Sequence, residues 1–166
     1  MRLYNNFFNA LRELNLLFIV LVFLGVTSCS KNQVYRETHQ DFPLNRWLEN
    51  DYQEFEVKIV NTTIAYNFIM NFGYVYGSQF HNIPVEATIE YPSGYRETLS
   101  FEVSLLNDDN EEAGDCLGDI CDIRYTFKEK TLLKEQGVYT VIFKNRFNND
   151  FLPNVLAVGL IIEKTE

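Results

Sequence analysis

The chain is poor in the residues that most enzyme and metal sites are built from. Its 166 residues include two histidines, His39 and His81, and three cysteines. Neither histidine stands in a His-Glu-x-x-His setting, which removes the helical zinc-protease site. There is no G-x-S-x-G elbow and no G-x₄-G-K-[ST] phosphate loop, so the common hydrolase and nucleotide-binding signatures are absent. Ser78 and His81 lie three apart in an expected loop, but no orienting acid is placed beside them, and they read as loop polars rather than a catalytic pair. Cationic residues are scarce as well, 14 Lys and Arg against 23 Asp and Glu. That balance opposes binding to nucleic acid and to anionic lipid surfaces, both of which need Lys and Arg. No apolar run approaches the roughly 20 residues of a membrane span.

A shorter run is present. Residues 16–26 read LLFIVLVFLGV, eleven residues behind a polar head that carries Arg2 and Arg12. Positive head, apolar middle and small residues at the end make a secretory signal. The step Val26-Thr27-Ser28-Cys29 fits a bacterial lipobox, in which Cys29 is acylated and becomes the first residue of the mature chain. The expectation is therefore a cleaved lipoprotein signal peptide over residues 1–28. Its removal takes Arg2, Arg12 and Glu13 with it and leaves 12 cationic and 22 anionic side chains, a net charge of −10. Attachment is then by lipid and not by charge, and two or three acyl chains suffice for it.

Beyond Cys29, residues 30–41 are polar apart from Val34-Tyr35, where the first ordered contact is expected; 29–41 reads as the lipidated cysteine and a tether. From residue 42 to 166 the pattern is that of one domain. Phe55, Val57 and Ile59 alternate with Glu54, Glu56 and Lys58; Val85, Ala87 and Ile89 alternate with Glu86 and Thr88; Leu99, Phe101, Val103 and Leu105 share one face. This is strand period. The apolar run 65–76 reads as a more buried strand, with Gly73 marking a bulge. Pro92-Ser93-Gly94 turns a hairpin. Strands are also expected over 123–127, 138–147 and 155–163, with one helical turn in the charged stretch 128–135. The fold class that follows is all-β, a single antiparallel β-sandwich of about seven to eight strands. Trp47, the sole tryptophan, reads as a core anchor.

Three groups stand out as candidate sites. Cys116 and Cys121 form an even pair once Cys29 is acylated; an exported compartment permits a local disulfide, and two packed thiols are the alternative. The stretch 107–122 is acidic, and Asp115, Asp119 and Asp122 are the oxygen donors best placed for calcium, although no EF-hand spacing is present and a charge run is usually a solvated face. Tyr74, Tyr76, Phe80 and Tyr95 offer a stacking platform for a carbohydrate or other surface ligand, against a reading as core and rim aromatics.

Ordered stretches across the whole chain resemble the gliding-motility lipoprotein GldH family of the Bacteroidetes. They are the lipobox Cys29; Val34-Tyr35; Phe42-Pro43 and then Trp47; Tyr66-Asn67; Asn82; Tyr91-Pro92-Ser93-Gly94; Leu117-Gly118-Asp119-Ile120; Gly137-Val138-Tyr139-Thr140; and the ending through Leu152-Pro153, Val155, Val158-Gly159-Leu160 and Glu163-Lys164. The resemblance implies an outer-membrane lipoprotein required for gliding and partnered with other gliding and type IX secretion proteins, in a family not known as an enzyme; the missing catalytic set points the same way, and calcium apart no cofactor is expected. By analogy with bacterial sorting rules, Ser30-Lys31-Asn32-Gln33, with no aspartate after the cysteine, permits transport to the outer membrane; without the acidic cluster of surface-export signals it points to the periplasmic face, with the cell surface as the alternative.

Overall fold

The computed structural model describes residues 32–165, within a compact unit Asn32–Glu166. The signal peptide, Cys29 and the first tether residues lie outside the described residues. Among the described residues there are eleven strands: β1 (Gln33–His39), β2 (Arg46–Leu48), β3 (Gln53–Ile59), β4 (Ala65–Val75), β5 (Asn82–Glu90), β6 (Arg96–Ser104), β7 (Asp115–Leu117), β8 (Ile120–Leu132), β9 (Gly137–Asn145), β10 (Phe151–Pro153) and β11 (Val155–Lys164). All pairings are antiparallel. One sheet has the order β1-β11-β4-β8-β7 and the other β3-β9-β5-β6, with β10-β2 a small ribbon. The two larger sheets pack face to face as a β-sandwich.

Alternation explains the second sheet. Along β3 every second residue is buried, and Phe55, Val57 and Ile59 enter a core shared with Val85, Ala87 and Ile89 of β5 and Tyr139, Val141 and Phe143 of β9. Facing them from the first sheet are Phe68, Met70 and Phe72 of β4 with Val158, Leu160 and Ile162 of β11. Trp47 is buried at the edge of this core; its Nε1–H donates to the Asp51 carbonyl at 2.6 Å.

β4 and β11 are buried on both faces, for which alternation alone gives no reason. The outer face has its own cover. Arg124 on β8 sits beside Asn71, and Glu163 on β11 beside Asn67, so their ion pair at 2.7 Å crosses β4 at the level of Ile69. The expected break at Gly73 occurs as a register shift in the facing strand, between Val155 and Ala157.

Three expectations are corrected. Residues 33–39 belong to the sheet as β1, paired with β11 from Gln33↔Glu163 to His39↔Val158, and are not tether. Their polarity suits an edge strand, which packs only some of its side chains inward; Tyr35 meets the core, and His39 stacks on Phe55 at 4.4 Å. The helical turn expected over 128–135 is replaced by the end of β8, which runs to Leu132. The acidic stretch contains β7, the shortest strand of its sheet.

The register orients the molecule. One end of the sandwich holds Asn32, Lys164 and Thr165 with the short connections 60–64, 91–95 and 133–136; the Lys164 N–H donates to the Asn32 carbonyl and the Thr165 N–H to the Ala65 carbonyl. All four long connections, 40–52, 76–81, 105–119 and 146–154, lie at the opposite end.

Candidate interaction surface

The far end is built by a chain of backbone and carboxylate bonds. After β6, the Leu105 and Leu106 N–H groups donate to the His81 carbonyl at 2.7 and 3.3 Å. Asn107 then nucleates a turn, its Oδ1 accepting from the N–H groups of Asp109 and Glu111 at 3.0 and 2.9 Å, as short amide side chains do in Asx turns. Glu112 reaches back to the β4–β5 connection, where its Oε1 accepts from the Gly77 and Ser78 N–H groups at 2.8 and 3.1 Å. Part of the acidic run is thus structural, satisfying backbone donors of a neighbouring loop. Tyr74, buried beneath, donates its hydroxyl to the Leu105 carbonyl at 3.2 Å. Burial first, and then the Glu112 carboxylate, push that hydroxyl up to about 12.

The β7–β8 hairpin forms the edge of its sheet beside this base, its β8 arm paired with the end of β4 from Gly73↔Asp122 to Val75↔Ile120. Leu117 and Ile120 close a two-residue turn in which Gly118 takes φ +62 and Asp119 an ordinary negative φ. A glycine with positive φ at the first central position is the type II′ hairpin turn. Cys116 and Cys121 are direct cross-strand partners, bonded with Sγ–Sγ 2.00 Å. Cys121 is buried against the base and Cys116 is exposed. Strand alternation places Asp115, Leu117, Ile120 and Asp122 on the opposite face. There Leu117 is 88% and Ile120 54% exposed. Tyr76, also exposed, is held beside the tip by its N–H bond to the Asp119 carbonyl at 3.0 Å.

The candidates from sequence fare differently. Asp115 and Asp122 face one another across the hairpin and Asp119 sits in its turn, yet among the described residues no three His, Cys, Asp or Glu side chains converge as a metal would require. The calcium set is therefore not assembled: the turn separates the third carboxylate from the other two, and Asp122 faces Asn71 at 3.5 Å. The four aromatics form no single platform. Tyr74 is buried, and Phe80 packs edge-on against Phe147 at 4.7 Å. Tyr95 packs on Tyr91 at 5.3 Å at the opposite end of the sandwich; only Tyr76 and Tyr95 are widely exposed. Ser78 Oγ donates to the Phe80 carbonyl and not to His81. Leu117 and Ile120 were not singled out as site residues. The signal for them is the pattern Cys-Leu-Gly-Asp-Ile-Cys, a glycine turn whose flanking apolar pair must point away from the bridged cysteines.

These features define an all-β sandwich with short turns at one end and an apolar hairpin tip at the other. The chain belongs to the GldH lipoprotein family, whose sequence model matches residues 33–162. It is 24% identical over 157 residues to a gliding motility lipoprotein GldH homolog of Christiangramia forsetii, covering 90% of this chain and 93% of the relative. It is 25% identical over 155 residues to the gliding motility lipoprotein GldH of Flavobacterium johnsoniae, covering 89% and 95%. Among solved structures, a family GH115 4-O-methyl-α-glucuronidase aligns with 84% of this chain and 18% of its own, at 6% identity and a TM-score of 0.42. At that score the likeness carries no argument about fold or ligand.

Proposed function

We propose that the chain is a gliding-motility lipoprotein, acylated at Cys29 and held in the outer membrane on its periplasmic face. It acts as a non-enzymatic structural and interaction component associated with the gliding and type IX secretion apparatus. Family membership supports the process. The observation that carries the mechanical part is the start of β1 at Gln33. Only residues 30–32 separate the acylated cysteine from the sheet, a reach of about 10 Å at 3.3–3.6 Å per residue. The near end of the sandwich is thereby kept close to the leaflet, and the long connections lie at the other end of the domain. The test is Cys29→Ala beside a deletion of the gene. Deletion abolishes gliding, and the Cys29→Ala protein, folded as judged by Trp47 fluorescence, leaves the membrane fraction and does not restore spreading. Normal gliding of the deletion strain, or full rescue by Cys29→Ala, overturns the proposal.

A further inference from the structure

We infer that the β7–β8 hairpin, residues 115–122, is a docking knob for a protein partner with an apolar recess and a basic rim, at the end of the sandwich remote from the start of β1. The inference rests on the proposed role as an anchored interaction component and names the surface that performs it. Four observations carry it. Leu117 is the most exposed large apolar side chain among the described residues and is joined by Ile120 on the same face. An exposed leucine on a tight turn adds nothing to folding, whereas an apolar pair presented together on one face, rimmed by polar groups, is the kind of patch that marks a protein contact. The hairpin is held rigid by the Cys116–Cys121 bond, the Gly118 turn and the Tyr76–Asp119 bond, and a tip ordered in advance loses less freedom on docking.

The other two observations choose the occupant. Asp115, Asp119 and Asp122 flank the tip, with Glu111 in the loop behind it; Arg36 and Arg124 share the hollow beside Asp115 and Asp122, and Arg124 is paired with Glu163, so carboxylates outnumber free cations around the tip. An acidic collar opposes an anionic lipid surface and complements Lys and Arg on a protein. Position leaves the tip clear of the anchor. β4 runs eleven residues from Ala65, at the end where the chain enters the sheet, to Val75, which pairs with Ile120, a separation of about 35 Å at strand rise. A tip that far from the start of β1 can be gripped by a protein without displacing the anchor.

The experiment places a photoreactive benzoylphenylalanine at position 117 of the full-length lipoprotein in gliding cells, with position 95 at the opposite end as control. Expected is a protein adduct at 117 and not at 95, reduced about tenfold by Asp115→Lys with Asp119→Lys, since like charges across a rim are costly. Leu117→Ser with Ile120→Ser keeps the protein in the membrane at the normal level and abolishes spreading. Adducts with lipid, adducts at the mass of two copies of this chain, no adduct, or equal adducts at 95 each overturn the inference. So does normal spreading of the Leu117→Ser, Ile120→Ser variant in a strain whose gene deletion abolishes gliding; that result leaves the proposed role standing and removes only the knob.

Discussion

Replacing Glu97 with glutamine tests how the two sheets are held together at their open edge. β6 and β8 belong to different sheets, and Glu97 of β6 bridges them. Its Oε1 accepts from Lys128 Nζ on β8 at 2.5 Å and its Oε2 from the Tyr91 hydroxyl at 2.8 Å. The Glu97 and Lys128 side chains are 25% and 19% exposed. Burial alone would raise the Glu97 carboxyl, but the bonds from Lys128 and Tyr91 and the Lys128 charge outweigh it, and the carboxyl is held below its ordinary value of 4.5. Tyr91 responds in the opposite sense, its hydroxyl raised by burial and then by its bond to Glu97.

Glutamine keeps the shape and an acceptor oxygen but removes the charge. An exposed pair would lose under about 1 kcal/mol, and a fully buried one about 3–5 kcal/mol when one partner is removed. Partial exposure lets Lys128 reach water with its head, so the expected loss lies between, near 2 kcal/mol, in line with hydrogen bonds to charged groups. In urea, with a slope of about 2 kcal/mol/M for a domain of this size, the midpoint falls by about 1 M. Trp47, buried and the sole tryptophan, reports the transition in the 30–166 domain. The pH dependence has a fixed sign. A carboxyl whose folded value is depressed contributes stability above its unfolded value and loses it as pH falls through the folded value. The gap between wild type and Glu97→Gln is therefore full at pH 7 and closes below pH 4.5. A gap under about 0.5 kcal/mol at pH 7, the least that an ion pair of this exposure supports, or a gap unchanged down to pH 3, refutes the reasoning. A cycle with Lys128→Met measures the pair itself, with a coupling of about 1–2 kcal/mol expected.

Two further substitutions probe the corrected edge strand β1 and the tryptophan anchor. Gly159→Ala puts a Cβ 2.8 Å from the Glu37 carbonyl and 2.7 Å from Thr38 Oγ1; the neighbouring backbone must yield, at a cost of about 1–3 kcal/mol. Amide exchange over residues 33–39 should then quicken while β5 and β9 stay protected, and unchanged exchange in β1 would show that the strand does not need that close approach. Trp47→Phe removes the Nε1–H bond to Asp51 and part of a buried ring, so a loss of about 2 kcal/mol is expected. Calorimetry should show this as a melting point lower by roughly 6–10 °C.

What could be read in advance depended on whether a strand faces water on one side. β3, β5, β6 and β9 do, and their alternation announced both the strands and their inward residues. β1 lies at a sheet edge and offers Tyr35 and His39 in place of aliphatics, so its sequence resembles a linker. The end of β8 was hidden for a different reason. Lys128 points at the sheet junction, where Glu97 satisfies it, and a lysine in that position breaks the apolar pattern without breaking the strand. The ribbon β2–β10 is held by a side chain, Asn145 Nδ2 donating to the carbonyls of Trp47 and Leu48 at 3.0 and 2.9 Å, a contact nearly a hundred residues apart in sequence. At the site, residue types were legible and their placement was not. Seven carboxylates between 108 and 122 suggested a cation, but strand pairing spreads them along a hairpin and spends Glu112 on the Gly77 turn.

The same pairing gives the molecule a direction. Antiparallel register forces β1, which begins within reach of Cys29, to start beside the end of β11, and it forces the β8 end that carries the hairpin to lie at the other extreme of β4. Under the proposed acylation of Cys29, a three-residue connection keeps the start of β1 within about 10 Å of the leaflet. The tip then lies no farther from the leaflet than about one sandwich length beyond that reach, and a partner gripping it is to be found within that height. Lengthening the connection with flexible residues removes the limit, and spreading is expected to weaken progressively while the fold, the lipid and the tip stay untouched.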